Sequence, residues 1–218
     1  MKRFQGASTL RLPLAASLAA LTGFLAQVSF RVGPVPYTMQ NAAVILAGLL
    51  LPPRWAALSQ LLYLLMVALG LPVASGFRGG LVVLLGYTGG YLAGFPIASA
   101  FMSYLTRAYL RLTGRKLSST GFRDVIALLA LSAVAVVPVY VLGFSVFSYY
   151  ALGSPRLLSW SEGIASALSL SNLPTLLTLL VASVLVFIPQ DLLVDHTVAV
   201  VAARWASKLL EYRGVDLG

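Results

Sequence analysis

The sequence predicts an all-α, polytopic membrane protein with six transmembrane helices. Two observations support this prediction: the composition and the spacing of the apolar runs. Of the 218 residues, 59% are hydrophobic and 10% are charged, whereas soluble domains are usually about 45–50% apolar and about 25% charged. Because water cannot solvate so much apolar surface, lipid is the expected solvent for much of the chain. The chain contains no cysteine, so disulfide and thiol chemistry are not expected.

Apolar runs divide the chain into the helices of a single integral membrane domain, residues 1–218. The second run is shorter than the roughly 20 residues of a full crossing, so it could extend back through Thr38. Pro189 indicates either one bent final helix or a short helix followed by a crossing. The first run follows basic residues, as in a signal peptide, but its length favours a retained helix. The expected helices span about residues 12–30, 40–51, 55–71, 84–107, 124–150 and 173–210, with a break near 189.

The lysines and arginines predict a cell-membrane protein with both termini in the cytoplasm. If the N-terminus is cytoplasmic and six crossings follow, twelve basic residues lie inside and three outside, in agreement with the positive-inside rule. The net charge of +9 then reflects membrane topology rather than nucleic-acid binding, because the basic residues form no continuous stripe. The inside set is Lys2, Arg3, Arg11, Arg54, Arg107, Arg111, Arg115, Lys116, Arg123, Arg204, Lys208 and Arg213, and the outside set is Arg31, Arg78 and Arg156.

Motifs for common catalytic chemistry are absent from the sequence. The Walker pattern G-x-x-x-x-G-K-[ST], the zinc motif H-E-x-x-H and the nucleophile motif G-x-S-x-G do not occur. His196 is the single histidine, which excludes a His-rich metal site. A Ser–His pair that uses His196 is left open, with packing or local hydrogen bonding as the alternative. We therefore expect no enzyme activity, no metal and no cofactor.

Two aspartates near the C-terminus are candidates for binding, because only six residues in the chain are acidic. An aspartate near the centre of a membrane helix costs about 2.5–3.5 kcal/mol, so Asp191 and Asp195 need a ligand, a cation or water beside them. Pro189 removes a backbone donor and frees carbonyl groups next to Asp191. The alternative is that Asp191 caps the start of the final helix near the membrane interface.

A polar cluster follows the first helix. Thr38, Gln40 and Asn41 offer hydrogen-bond donors and acceptors within four positions. Such residues are common in hydrated loops. Because the second helix is unusually short, a binding role is an equal alternative to a hydrated loop.

Small residues recur every four positions on two of the expected helices, which lets another helix approach closely. On the fourth helix they are Gly86, Gly90 and Gly94, and packing within the bundle is the expected use. On the first helix, a similar face could dock a partner subunit or pack within the bundle. Its members are Ala15, Ala16, Ala19, Ala20 and Gly23.

Several longer motifs occur in a specific order along the chain. They are Val35-Pro36-Tyr37-Thr38-Met39-Gln40, Leu46-Ala47-Gly48-Leu49-Leu50-Leu51, Leu69-Gly70-Leu71-Pro72-Val73, Gly79-Gly80, Gly86-Tyr87-Thr88-Gly89-Gly90-Tyr91-Leu92-Ala93-Gly94-Phe95-Pro96, Tyr140-x-x-Gly143 and Phe187-Ile188-Pro189-x-Asp191-Leu192-Leu193. Together they resemble the BioY family, the biotin-specific substrate-binding subunits (S-components) of energy-coupling factor (ECF) vitamin transporters. The resemblance is densest over roughly residues 10–110.

The resemblance implies an ECF S-component-like bundle of six helices, with an outward-opening pocket capped by the loop after helix 1. It also implies that the protein captures biotin without chemistry. An EcfT-type transmembrane coupling subunit and two cytoplasmic ATPases would then drive release inward. The small-residue face of helix 1 would dock the coupling subunit.

The resemblance also implies roles within the pocket. Asp191 would accept hydrogen bonds from the ureido N–H groups of biotin, Arg78 would pair with its carboxylate, and Tyr91 would stack or donate a hydrogen bond. The polar residues after helix 1 would close over the ligand, and two glycines would allow close backbone approach. The implied substrate-binding set is Thr38, Gln40, Asn41, Arg78, Gly89, Gly90, Tyr91 and Asp191.

The chain departs from the family pattern in the last helix, where Gln190 stands for a glycine and Val194 for a lysine. The segment 157–188 is also longer than expected for the family. These departures keep open an S-component or a solitary transporter for a different small vitamin. The residues alone also leave open an intramembrane enzyme that uses Asp191 and Asp195 as a carboxylate pair, and a purely structural membrane subunit.

Overall fold

The computed structural model describes residues 5–31 and 33–214, which are mostly helical. Lys2 and Arg3 of the predicted cytoplasmic set lie outside the described residues. A 3₁₀ turn (Leu117–Ser119) and two π-helical turns (Val181–Leu185 and Asp191–His196) accompany the regular elements. The helices are α1 (Gln5–Leu25), α2 (Gln40–Leu50), α3 (Pro53–Ala68), α4 (Leu81–Leu84), α5 (Gly89–Thr113), α6 (Phe122–Ala135), α7 (Val137–Leu152), α8 (Pro155–Ala167), α9 (Thr175–Leu180), α10 (Ile188–Gln190) and α11 (Thr197–Tyr212), and the strands are β1 (Ser29–Arg31) and β2 (Pro36–Thr38).

The first helix ends earlier than the sequence predicts. The expected helix covered residues 12–30, but α1 ends at Leu25 and the chain then enters β1. This strand pairs antiparallel with β2, and Phe30 lies opposite Tyr37. Aromatic residues favour strands, and they pair well across an antiparallel ladder. A β-hairpin made of the strands Ser29–Arg31 and Pro36–Thr38 therefore follows α1 where a loop was expected.

The predicted helix 84–107 is divided in the structure. α4 is a single turn, and α5 begins only at Gly89. A Cβ on Gly89 would lie 1.8 Å from the carbonyl oxygen of Leu84, so the chain turns here at a distance that only glycine permits. At the other end, Gly114 has a φ of 64° and ends α5 in the left-handed conformation.

Between the helices expected at 124–150 and 173–210, the chain forms a further helix, α8. Pro155 occupies its first turn, where a missing N–H costs no hydrogen bond. Leu157, Ser161 and Ala165 recur at four-residue spacing and are buried, and the helix packs on α7, on α9 and on the first π turn. The extra length between 157 and 188 is thus folded structure.

Two helical runs of the described chain are long and apolar enough to cross a membrane. They are Phe122–Leu152 and Thr175–Tyr212, with mean hydropathies of 2.7 and 2.1. The first joins α6 to α7, and the second joins α9 to α11 through the π turns and Pro189. Six crossings therefore stay a prediction.

Helix α5 packs against α2, α3 and α7. Two of its glycines make the contact with α7 close. A Cβ on Gly90 would lie 2.2 Å from the carbonyl oxygen of Leu142, and one on Gly94 would lie 2.5 Å from the Cα of Val139. Packing within the bundle, which the spacing of these glycines predicts, is confirmed for both positions.

The small-residue face of α1 is mostly turned inward. Ala15 and Ala19 are buried, and a Cβ on Gly23 would lie 3.0 Å from the Cβ of Val73. These residues serve the packing of α1 on α2 and α3, because close helix contact requires small side chains there. Ala16 and Ala20 are exposed. Of the five residues assigned to partner docking, these two are accessible to another chain.

The connections gather at two ends of the bundle. At the hairpin end, Gln27 Nε2 donates to the Ala74 carbonyl at 3.1 Å, and the Tyr87 hydroxyl donates to the Pro34 carbonyl at 3.2 Å. At the opposite, basic end, residues 107–123 and 204–213 come together. There, Lys116 Nζ lies 3.3 Å from a carboxylate oxygen of Glu211. The fold therefore separates a hairpin end from a basic end.

Candidate functional site

A cavity of about 90 Å³ lies at the hairpin end. It brings together most of the substrate-binding set that the sequence implies. These residues come from β2, α2, α5, the connection between α3 and α4, and the turn that follows α10. The same cavity includes residues outside that set, among them Tyr140 and Gln190. The predicted residues that line it are Thr38, Gln40, Asn41, Arg78, Tyr91 and Asp191.

Asp191 lies at the centre of a hydrogen-bonded group in this cavity. Its side chain is 4% exposed, and its Oδ2 accepts hydrogen bonds from Asn41 Nδ2 at 2.9 Å and from the Tyr140 hydroxyl. A buried carboxylate requires such donors, because desolvation otherwise disfavours the charged form strongly. The backbone N–H of Asp191 donates to the Phe187 carbonyl at 3.0 Å. The helix is therefore continuous there, and the capping alternative is wrong.

The polar residues after β2 are organised rather than loosely hydrated. Thr38 Oγ1 donates to Gln40 Oε1 at 3.1 Å, and Gln40 Nε2 donates to the Tyr63 hydroxyl at 2.7 Å. Gln190 Nε2 donates to the Thr38 carbonyl at 3.2 Å and to Asp195 Oδ1 at 2.9 Å. These bonds connect the hairpin directly to the helix that carries Asp191.

An aromatic stack lies next to the cavity, which Phe187 lines. The ring of Tyr37 lies between Phe30, at a centroid distance of 4.6 Å, and Phe187, at 4.3 Å. The Tyr37 hydroxyl donates to the Val186 carbonyl at 3.3 Å. Each aromatic pair contributes about 0.5–1.5 kcal/mol beyond its buried area. These contacts pack the hairpin against the helical run that carries Phe187.

Tyr91 lines the cavity with its ring while its hydroxyl is already engaged. The hydroxyl donates to the Ser183 carbonyl at 2.6 Å, in the first π turn. The ring packs on Gly143, where a Cβ would lie 2.2 Å from a ring carbon. Gly89 and Gly90 do not line the cavity, because α4 and α7 pack against them. Their close approach is to protein backbone.

Arg78 lies at the cavity mouth and is exposed. Its Nε donates to the Ser75 carbonyl at 3.0 Å, which orients the guanidinium. Val194 is 43% exposed and does not line the cavity. Neither Gln190 nor Val194 therefore provides a cation inside the cavity.

The predicted Ser–His possibility has a structural counterpart outside the cavity. Ser132 Oγ lies 2.8 Å from His196 Nδ1 and also donates to the Leu129 carbonyl at 2.8 Å. Both residues are fully buried, and neither lines the cavity. The arrangement agrees with the packing and hydrogen-bonding interpretation of His196.

Sequence reasoning missed Tyr140 and Gln190 as site residues. Tyr140 was visible in the motif Tyr140-x-x-Gly143, where the glycine accommodates the ring of Tyr91. Gln190 was visible only as a departure from the family pattern. Its amide connects the hairpin to Asp195, a role that no local sequence signal reveals.

Comparison with known proteins places these features in a family. A protein named "Probable biotin transporter BioY" from Pyrococcus horikoshii is 50% identical over 98 residues, which are 45% of this chain and 60% of that protein. A protein of the same name from Bacillus subtilis is 39% identical over 104 residues, 48% of this chain and 56% of its own length. The matches span a little over half the length of these relatives.

The fold has a counterpart among solved structures. The S-component for biotin from an ECF-type ABC transporter matches with a TM-score of 0.68 and 24% identity, over 94% of each chain. At that identity the likeness concerns the fold. The family model described as the BioY family matches residues 1–211, and the chain belongs to the BioY family.

Proposed function

We propose that this protein is a membrane-embedded, biotin-binding S-component of an ECF importer. In this proposal it crosses the membrane six times, has both termini in the cytoplasm and opens its cavity outward. The observation that carries the proposal is the buried Asp191, held by Asn41 and Tyr140 beneath an aromatic hairpin. The names of the relatives and of the structural counterpart support the choice of ligand and of transporter class.

The site offers acceptors that suit the ureido group of biotin. Oδ2 of Asp191 accepts from Asn41 and Tyr140, which leaves Oδ1 to face a ligand. The Oδ1 of Asn41 is buried and has no hydrogen-bond partner among the described residues. Two acceptors therefore stand close together, which matches the two ureido N–H donors. Arg78 at the mouth is a suitable partner for the valerate carboxylate.

Binding would require the cavity to expand. Its volume of about 90 Å³ is below the several hundred Å³ usual for small-molecule pockets. The part that would move is the short hairpin, whose Phe30 and Tyr37 rings stack together, with Tyr37 resting on Phe187. Ligand capture would thus be coupled to a displacement of residues 29–38.

Transport energy would come from other chains. The sequence contains no Walker motif, so nucleotide hydrolysis requires partners. We assign these roles to an EcfT-type coupling subunit and two cytoplasmic ATPases, with Ala16 and Ala20 as the accessible part of the docking face. A second candidate function is capture of a different small vitamin. It is favoured by the exposed position of Val194, which leaves the family's lysine without a counterpart in the cavity.

Equilibrium binding to the purified protein in detergent tests the proposal. Biotin should bind tightly, and thiamine and riboflavin, as controls, should not compete. If a folded sample does not bind biotin but binds another vitamin, the proposed ligand is wrong and the proposed transporter class is kept. A folded sample that binds none of a wide vitamin set would overturn the proposal.

A further inference from the structure

A second, larger cavity of about 720 Å³ lies at the basic end. It is bounded by the ends of α2, α5 and α11 and by the turn after α5. Its walls are apolar, with Leu49, Leu110 and Leu210 among them. Its rim carries four cations, namely Arg107, Arg111, Arg115 and Lys116. The cavity therefore has the polarity of an amphiphile binding site, apolar inside and positive at the edge.

The four cations are not equally neutralised. Arg115 pairs with Asp124, and Lys116 pairs with Glu211 at 3.3 Å. Within residues 5–31 and 33–214, Arg107 and Arg111 form no ion pair. Arg107 Nη1 donates to Ser103 Oγ at 2.7 Å, and Arg111 Nε donates to the Arg107 carbonyl at 3.2 Å. These neutral partners leave the charge uncompensated.

Repulsion adds to this imbalance. Arg107 and Arg111 lie four positions apart on α5, and like charges at this spacing repel each other. An anion between these guanidinium groups would relieve the repulsion and would provide the planar, bidentate contacts that arginine prefers.

A buried hydroxyl also points to a missing partner. Thr106 is 1% exposed, lines the cavity, and its Oγ1 has no hydrogen-bond partner among the described residues. A buried hydroxyl without a partner is costly, so such groups are rare in folded proteins. A ligand oxygen in the cavity would satisfy it.

We propose that this cavity binds one anionic phospholipid of the cytoplasmic leaflet. Its phosphate contacts Arg107 and Arg111, and its glycerol and upper acyl segments lie against the leucines. The inference rests on the membrane orientation given under the proposed function, but not on the identity of the vitamin. A lipid fits better than free phosphate, because the apolar walls need an apolar partner and basic pockets between helices on this side attract anionic head groups.

The test is lipid binding to the full chain in detergent, followed by native mass spectrometry. Phosphatidylglycerol should bind in preference to phosphatidylcholine with a stoichiometry of one. Removing two charges in Arg107→Gln/Arg111→Gln should weaken phosphatidylglycerol binding roughly 30-fold. The matched variant Arg123→Gln/Arg213→Gln removes two exposed charges from the same end, outside the cavity, and should change it little.

A second variant keeps the proposal testable if the double variant unfolds. Thr106→Val should fold, and phosphatidylglycerol should raise its melting temperature less than it raises that of the wild type. Equal losses in the two double variants would mean general surface attraction and would overturn the proposal. If inorganic phosphate binds as strongly as phosphatidylglycerol, the site is a simple anion site and the proposal is overturned. If an acidic peptide of the coupling subunit displaces the lipid equally well whether or not Arg107 is replaced, the surface is a protein interface, and the proposal is overturned as well. Biotin binding to the same samples separates these outcomes from failure of the proposed function.

Discussion

Replacing Asp191 with asparagine removes the charge of the cavity while preserving its shape. An asparagine carbonyl oxygen can accept the same hydrogen bonds from Asn41 and Tyr140 that Oδ2 accepts now. The other oxygen becomes an NH₂ group, which donates, so a ureido N–H would meet a donor instead of an acceptor. Loss of one hydrogen bond to a charged group costs about 1.5–3 kcal/mol, so the Kd for biotin should rise about 10- to 150-fold.

Isothermal titration in detergent measures this change, and thermal unfolding shows whether the variant is folded. Asp195→Asn is the matched control, because Asp195 is fully buried four positions away and does not line the cavity. Its Oδ1 accepts from Gln190, which asparagine can preserve. The control should change the Kd by less than about threefold. Equal losses in both variants, or unchanged affinity in Asp191→Asn, would refute direct contact between Asp191 and the ligand.

Three further predictions concern packing, specificity and topology. Gly90→Ala places a Cβ 2.2 Å from the Leu142 carbonyl oxygen, and it should lower the free energy of unfolding by about 1–3 kcal/mol. Gly163→Ala, with open space around the new Cβ in α8, should raise it by about 0.5–1 kcal/mol; equal thermal shifts would contradict this packing. Val194→Lys should change biotin affinity by less than about threefold in the same titration, because the side chain is exposed outside the cavity, and a tenfold gain would place this position at the ligand. In the cysteine-free chain, Ser171→Cys should react with an impermeant maleimide in intact cells and Ser119→Cys only after permeabilisation; the reverse pattern would invert the orientation.

Hydropathy predicted where helices occur better than where they end. The run that includes Phe30 is mostly apolar but contains Gln27 and Ser29, and hydropathy alone does not separate a longer helix from a strand. The strand forms because Phe30 pairs with Tyr37, seven positions further along the chain, so its conformation depends on a partner outside the run itself. The break before Gly89 has a similar cause, since it depends on the close approach of the Leu84 carbonyl.

The site was partly predictable because burying charge is expensive. That cost identified Asp191, and the short second helix identified Asn41, which donates to it. Tyr140 carries no such signal, because tyrosine is common both in membrane helices and at their edges. The alanines of α1 show a further limit of periodicity. Spacing defines a face that permits close approach, but Ala15 faces the bundle and Ala16 faces outward.

The π-helical turn Asp191–His196 affects which residues of this chain correspond in space to those of its relatives. In an α-helix each residue advances about 100°, so the third residue after Asp191 would lie about 60° from it. A π turn takes more residues per revolution, so each residue rotates less; the third residue then points further away from the direction of Asp191, and the next two point closer to it. Val194 is accordingly exposed, while Asp195 and His196 are fully buried. An alignment matches residues by their order and not by their direction around a helix, so the position of the family's lysine is here an exposed valine. Substitutions at position 194 should therefore change the outer surface of the protein, whereas those at position 195 should change the packing inside the bundle.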